Sequence, residues 1–177
     1  MENFNFKKIV IVGGPGSGKT TLTNILSEKL NISPLHIDGV QHLPGWVERD
    51  KEERDKIILD KIKEESWIID GTYKSTLKPR FEAADVIIWL DYSTFTLVRS
   101  VIGRIIKYKG KEREEIPGCK ERINKEFLLY VCRYNKDKRE HVVKNLEGID
   151  KVFILHDLYS IELKNEVKAQ VIEKIKK

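Results

Sequence analysis

The chain has 177 residues, of which 40% are hydrophobic and 34% charged, and its formal net charge is +5. This length suits one domain that buries a core without cross-links, and the composition excludes a disordered chain, a collagen-like chain and a small disulfide scaffold. Apolar runs such as Val86–Leu90 are far shorter than the ~20 residues that span a membrane, so we do not expect a membrane protein.

Short apolar runs and helical spacing alternate along the chain. Five runs predict strands: residues 8–12, 34–38, Trp67–Asp70, Val86–Leu90 and Val152–Leu155. Apolar residues at helical spacing predict helices over residues 19–30, 48–65, 95–108 and 121–134, and a last one that begins at Ser160. This alternation is typical of an α/β fold with a parallel sheet that helices cover on both faces.

The segment between the fourth and fifth strands holds the positive charge of the chain. Residues 99–144 contain 14 Lys or Arg and 7 Asp or Glu, a charge of +7, whereas the rest of the chain has a charge of −2. Such a segment is expected to meet an anion, such as nucleic acid or ligand phosphates, unless it is a solvated pair of helices. Within it, residues 109–120 combine glycines, a proline and many charges, which predicts a mobile loop.

No repeat or linker divides the chain, so we expect a single domain over residues 1–177. Met1-Glu-Asn-Phe lacks the basic and apolar regions of a secretory signal, and the two cysteines, Cys119 and Cys132, are too few for a disulfide framework. We therefore expect reduced thiols and a cytoplasmic location. A zinc site that adds His141 to the cysteines is disfavoured, because the sequence offers no obvious fourth ligand.

A glycine-rich phosphate-binding motif follows the first strand. Residues 13–20 match G-x-x-x-x-G-K-[ST] at every position, between a strand and a helix. Their amides and the helix N-terminus can surround phosphate oxygens, Lys19 can reach the β- and γ-phosphates, and the Thr20 hydroxyl can help to hold Mg²⁺. The motif predicts phosphate contacts by nine residues: Gly13, Gly14, Pro15, Gly16, Ser17, Gly18, Lys19, Thr20 and Thr21.

Acidic residues at strand ends are the candidate partners of this motif. Asp70 ends the third strand and can hold Mg²⁺ with Thr20, whereas Asp91 ends the fourth strand and is an alternative ligand or a helix cap. No glutamate follows Asp70 to activate water, which weakens a hydrolase interpretation. Asp38 ends the second strand, where it could orient or deprotonate an acceptor hydroxyl.

Further candidates for substrate binding are an aromatic residue and several arginines. Trp46, in a loop after the second strand, could stack on an acceptor ring or close the core. Guanidinium groups suit phosphate because they donate two parallel hydrogen bonds and keep their charge. The candidates are Arg80, Arg99, Arg104 and Arg113, and we prefer Arg104 and Arg113 because the first precedes the predicted loop and the second lies within it.

These motifs together resemble the small P-loop kinases of the adenylate-kinase-like group. More narrowly, they resemble the bacterial proteins labelled DNA topology modulation proteins, FlaR-related. The matching stretches are residues 9–20, 36–38 with 44–46, 67–73, 80–91 and 104–113.

The resemblance implies a three-layer P-loop NTPase fold with strand order 2-3-1-4-5 and a lid between the fourth and fifth strands. It implies binding of ATP and Mg²⁺, with Arg104 and Arg113 in the lid. True adenylate kinases carry Phe-Pro-Arg where this chain has Thr72-Tyr73-Lys74, so AMP does not follow as the acceptor. We therefore predict a kinase that phosphorylates a small acceptor. The alternative is a nucleotide-dependent DNA-binding regulator, which the basic segment would support.

Overall fold

The computed structural model describes residues 6–113, 115–121 and 123–156, without the side chain of Arg113. Its strands are β1 (Lys8–Gly13), β2 (Pro34–His36), β3 (His42–Leu43), β4 (Val47–Glu48), β5 (Trp67–Asp70), β6 (Val86–Leu90), β7 (Glu112–Arg113), β8 (Ile116–Lys120) and β9 (Val152–Leu155). Five of them form a parallel sheet in the order β2-β5-β1-β6-β9. This confirms the predicted order of strands.

Seven α-helices surround the sheet in the described part of the chain: α1 (Lys19–Leu30), α2 (Ile37–Gln41), α3 (Lys51–Lys61), α4 (Lys74–Ala83), α5 (Thr94–Tyr108), α6 (Lys125–Tyr134) and α7 (Glu140–Leu146). A 3₁₀ turn, Pro44–Trp46, links β3 to β4, and a π-helix, Asn135–Arg139, links α6 to α7. None of these helices combines the length and apolarity needed to cross a bilayer.

Alternation of side chains along β1 builds one core on each face of the sheet. Ile9 and Ile11 pack into a cluster with residues of α1, α5 and α6, whereas Val10 and Val12 pack into a second cluster with residues of α3, α4 and α7. Both clusters are almost fully buried. The result is the expected three-layer α/β arrangement, in which the carboxyl ends of β1, β2, β5 and β6 meet at one edge.

Two helices begin at later residues than the sequence predicts, because side chains cap their N-termini. The Asp50 carboxylate accepts hydrogen bonds from the amides of Glu52 and Glu53 at 2.8 and 3.1 Å, so α3 begins at Lys51 rather than at residue 48. Asn124 caps α6 in the same way, so this helix begins at Lys125 rather than at residue 121. The helix predicted from Ser160 lies outside the described residues.

The second strand and the predicted loop also differ from expectation. β2 ends at His36, and Asp38 lies in the first turn of α2 rather than at a strand end. Among the described residues β2 lies at the edge of the sheet and pairs with β5 alone, so few hydrogen bonds would support a longer strand. Residues 109–120, predicted as a mobile loop, contain the antiparallel pair β7 and β8, and we call residues 109–121 the hairpin.

The structure corrects the expectation that Arg80 contacts substrate. Arg80 is fully buried on α4, where Nε donates to the Thr76 carbonyl at 3.1 Å, Nη1 to Gly71 at 2.8 Å and Nη2 to Tyr73 at 3.1 Å. Burial lowers the pKa of Arg80 to about 9, which still leaves it protonated at neutral pH, with Asp70 nearby as a counter-charge. Its role is to hold the backbone that follows β5.

Replacing Arg80 with methionine should therefore destabilise the fold. The change leaves the carbonyls of Thr76, Gly71 and Tyr73 without their side-chain donor and removes a positive charge near the buried Asp70, so we expect a loss of about 2–4 kcal/mol of unfolding free energy. Urea unfolding at pH 7 measures this. Lys78→Met is the matched control, because the Lys78 side chain lies on the same helix and is 76% exposed. A loss at Arg80 no larger than that of the control would contradict this role.

Candidate active site

A large cleft lies beyond the carboxyl ends of the strands. It is lined by the loop between β1 and α1, by α5 and α6, by the hairpin and by the segments around Asp38 and Thr72. Its volume is about 1990 Å³, whereas single small-molecule sites commonly measure ~300–1,000 Å³. The cleft has room for a nucleotide and a second ligand together.

The residues of the phosphate-binding motif form one wall. Seven of them line the cleft: Gly13, Pro15, Gly16, Gly18, Lys19, Thr20 and Thr21. Gly14 and Ser17 are buried behind them. A Cβ atom on Gly14 would lie 2.4 Å from Cδ1 of Leu97, so only glycine lets the loop pack this closely on α5.

The loop has the chemistry that a phosphate group requires. Helix α1 begins without a side-chain cap and without an acidic residue in its first turn, so its N-terminal dipole is available to an anion. The buried Ser17 hydroxyl has no hydrogen-bond partner among the described residues. Lys19 Nζ donates to the Gly14 carbonyl at 2.9 Å, which keeps its positive charge at the loop. The residues present therefore fit a polyphosphate.

Asp70 is buried next to this wall and does not line the cleft. Its side chain is 3% exposed, and Oδ2 lies 2.6 Å from Nδ1 of His36. Burial lowers the pKa of His36, but the hydrogen bond and charge of Asp70, with smaller contributions from Glu115 and Asp38, outweigh it, so the pKa is raised. His36 and Asp70 thus form a close hydrogen-bonded pair beneath the cleft.

Asp91 has a different neighbourhood. Its two carboxylate oxygens accept hydrogen bonds from Nε and Nη2 of Arg139 at 2.9 and 2.8 Å. The Ser93 hydroxyl, not Asp91, accepts the capping hydrogen bond of α5, so the expectation of a cap at Asp91 is wrong. Asp91 lies outside the main cleft. Neither carboxylate lines the main cleft, so a metal-binding role for Asp70 stays a prediction.

Asp38 and Trp46 also line the cleft and come from segments outside the phosphate loop. The exposed Asp38 carboxylate accepts a hydrogen bond from the Tyr73 hydroxyl at 3.1 Å. Trp46 is half-buried, and its indole Nε1 donates to the Lys120 carbonyl at 2.9 Å. Tyr130 of α6 also lines the cleft, where burial and then the charge of Asp38 raise its pKa to about 12. A hydroxyl acceptor would meet a carboxylate and protonated phenols here.

The predicted arginines have different fates. Arg99 and Arg104, both on α5, line the cleft. Nε of Arg104 lies 3.4 Å from Oε2 of the buried Glu121, and its guanidinium lies 5.6 Å from the centre of the Phe127 ring. The side chain of Arg113 lies outside the described residues, although its backbone belongs to β7.

Among residues 6–113, 115–121 and 123–156, no group of three acidic, His or Cys side chains is arranged around a metal position, which removes support for a zinc site there.

The hairpin is docked on the segment that carries Trp46. The Cys119 thiol donates to the Leu43 carbonyl at 3.3 Å and accepts from the amide of Trp46 at 3.4 Å. Gly118 lies so close to Pro44 that a Cβ atom there would be 2.7 Å from Cβ of the proline. These contacts close the cleft on one side.

Replacing Gly118 with alanine should undock the hairpin, whereas Gly110→Ala should not. The φ angles of Gly118 and Gly110 are +77° and +74°, so alanine introduces similar backbone strain at either position. A Cβ atom on Gly110, however, would meet nothing within 4 Å. Overpacking costs about 1–3 kcal/mol, so we expect roughly tenfold or faster hydrogen exchange at residues 43–46 and 116–120 in Gly118→Ala alone. Equal exchange in the two variants would contradict the docking.

Sequence reasoning missed several residues of the cleft. Tyr73 follows β5 by three positions, and a polar residue directly after a buried strand was a usable signal for it. Phe127 and Tyr130 belong to α6, and the packing of α6 against α5 brings them to the cleft, whereas Glu121 ends the hairpin.

Comparisons with known proteins agree with this architecture. No protein-family model matches the chain. A protein of Sulfurisphaera tokodaii named "Putative adenylate kinase" is 28% identical over 153 residues, which cover 78% of this chain and 79% of that protein. Two similar solved structures are shikimate kinases. The enzyme from Acinetobacter baumannii, in complex with shikimate, has a TM-score of 0.61 and 12% identity and covers 97% of this chain and 94% of its own. The enzyme from Bacteroides thetaiotaomicron has a TM-score of 0.63 and 14% identity and covers 97% and 99%.

These likenesses support the P-loop NTPase fold. The solved structures share this fold, and the sequence relative carries the name of an adenylate kinase. They do not confirm the narrower resemblance to topology modulation proteins, and they do not support a DNA-binding role. Several cations of residues 99–144 are paired within the chain, among them Arg104, Arg133, Arg139 and Lys144.

Proposed function

We propose that this protein is an ATP-dependent phosphotransferase that moves the γ-phosphoryl group of ATP to a hydroxyl of a small acceptor. The observation that carries the proposal is the presence, in one cleft, of a complete phosphate loop with Lys19 and a separate carboxylate, Asp38. Catalysis would consist of positioning and charge stabilisation.

The phosphate loop would bind ATP. Amides of residues 13–20 and the N-terminus of α1 would hold the phosphates, and Lys19 would leave the Gly14 carbonyl for a phosphate oxygen. Mg²⁺ prefers oxygen ligands, and the Thr20 hydroxyl with the Asp70 carboxylate would supply them. When bound, the cation would neutralise charge on the phosphates.

The acceptor would occupy the part of the cleft between Asp38, Trp46 and Tyr130. Asp38 would orient the acceptor hydroxyl and take up its proton as the phosphoryl group arrives. The hairpin and the flanking Arg104 would act as a lid, with Arg113 as its second cation, and exclude water from the transfer. The location would be the cytoplasm, in keeping with two free cysteines.

A screen for acceptor-dependent release of ADP tests this function. The panel contains AMP and other nucleotides, nucleosides, shikimate and small alcohols, each with ATP and Mg²⁺. We expect slow ADP release without an acceptor and a strong increase with one chemical class. ADP release that no acceptor increases, or that DNA alone increases, would contradict the proposal.

A further inference from the structure

Arg54 is a buried charge that the proposed chemistry does not use. It lies on α3 with 8% of its surface exposed and does not line the cleft. Burying a guanidinium is costly unless its donors are satisfied. The Arg54 guanidinium therefore needs several hydrogen-bond acceptors, and the positions of these acceptors indicate the role of the side chain.

The partners of Arg54 belong to three different elements. Nη1 donates to Oε1 of Gln41, the last residue of α2, at 2.7 Å. Nη2 donates to the Ser75 hydroxyl in α4 at 3.0 Å, and Nε and Nη2 bind Asp55 at 2.9 and 2.6 Å. Arg54 thus connects α2, which carries Asp38, to the start of α4.

The same guanidinium stacks on Tyr73. Its Cζ lies 4.9 Å from the centre of the Tyr73 ring, within the range of a cation–π contact. A stacked ring keeps its plane, and this fixes the position of the hydroxyl at its end. That hydroxyl donates to Oδ1 of Asp38 at 3.1 Å.

Tyr73 stays a hydrogen-bond donor under all ordinary conditions. Burial and then the charge of Asp38 raise its pKa well above the usual value. A protonated phenol can donate to only one carboxylate oxygen, which leaves the second oxygen of Asp38 to interact with another group.

We propose that Arg54 and Tyr73 are positioning residues for Asp38: Arg54 holds the ring of Tyr73, and the hydroxyl of Tyr73 holds the carboxylate toward the acceptor. This inference rests on the proposed function, because it gives Asp38 the task of receiving the acceptor proton. It assigns a function to a buried arginine on α3, outside the cleft.

Tyr73→Phe is the first test, because it keeps the ring stacked on Arg54 and removes only the hydroxyl. With the best acceptor of the panel above, we expect kcat to fall about tenfold, the effect of losing a hydrogen bond to a charged group, while KM for ATP stays unchanged. Tyr92→Phe is the control, since Tyr92 is buried outside the main cleft. Arg54→Lys, which keeps the charge and loses the planar group, should lower kcat in the same direction.

A double-mutant cycle separates positioning from a general structural role. In an Asp38→Asn background, Tyr73→Phe should have little further effect on kcat, because the carboxylate it positions is gone. An unchanged kcat in Tyr73→Phe, or an equal loss in both backgrounds, would overturn the proposal while leaving the phosphotransferase activity standing.

A second cycle on stability needs no acceptor. Urea unfolding of wild type, Tyr73→Phe, Asp38→Ala, which removes the acceptor oxygen, and the double variant should show non-additivity of about threefold or more in the unfolding equilibrium constant. Additive values would overturn the contact itself. If the wild type transfers phosphate to no acceptor, the proposed function fails first, and the positioning role falls with it whatever the stability cycle shows.

Discussion

Replacing Lys19 with alanine is expected to abolish useful turnover of ATP without unfolding the chain. The ammonium group lies at the phosphate loop, half-buried, and donates a hydrogen bond to the Gly14 carbonyl of that loop. Removing one preorganised cation or donor from a phosphoryl-transfer site costs about 10²–10³-fold in kcat, and the loss of ATP affinity adds to it. Steady-state ADP release and calorimetric titration with an ATP analogue measure the two effects.

Lys29→Ala is the matched control for this variant. Lys29 is an exposed lysine in the last turn of the same helix, α1, at the end away from the phosphate loop. It should retain wild-type affinity and turnover, and both variants should unfold at similar urea concentrations. A folded Lys19→Ala protein with wild-type ATP affinity and turnover would contradict the assignment of the phosphate loop.

The second large effect is expected at Asp38. Asp38→Asn keeps the size of the side chain and its ability to accept from Tyr73, but it removes the negative charge and the basic oxygen. If Asp38 receives the acceptor proton, kcat should fall about 10²–10⁴-fold. ATP affinity should hardly change, because Lys19 and the amides of the phosphate loop remain. A DNA-binding regulator that catalyses no reaction would not show this difference between a large loss of kcat and an unchanged ATP affinity.

The control for Asp38→Asn is Asp60→Asn. Asp60 is an exposed carboxylate on α3 that pairs with Lys63 at 2.7 Å and lies outside the cleft. Turnover with the best acceptor, measured beside ATP affinity, should stay at the wild-type level in this control. Wild-type turnover in Asp38→Asn as well would remove Asp38 from the mechanism.

Local signals in the sequence were enough to predict the sheet and the phosphate loop. Each central strand is a short apolar run, which predicts a buried strand. The glycines of residues 13–20 and the helix that follows them determine the conformation of the phosphate loop. The order of the strands came from the resemblance to P-loop kinases rather than from the runs themselves. The structure confirms this order.

The contacts of the charged residues depend on tertiary packing, which the sequence alone does not show. Arg80 was expected at the substrate, yet it is buried against three carbonyls because the chain turns back toward α4 directly after β5. Asp91 was expected to serve a metal or a helix end, but it pairs with Arg139, which lies 48 positions away. Asp38 reaches the cleft from a helix turn instead of a strand end.

The most direct measurement of the central claim is to follow the γ-phosphoryl group itself. ATP labelled in the γ-phosphate is incubated with the protein, Mg²⁺ and the acceptor that gave the strongest ADP release. A phosphotransferase places the label covalently on the acceptor, with one labelled product formed for each ADP, and Lys19→Ala abolishes this product. Label that appears only as inorganic phosphate, with the acceptor unmodified, would contradict the account.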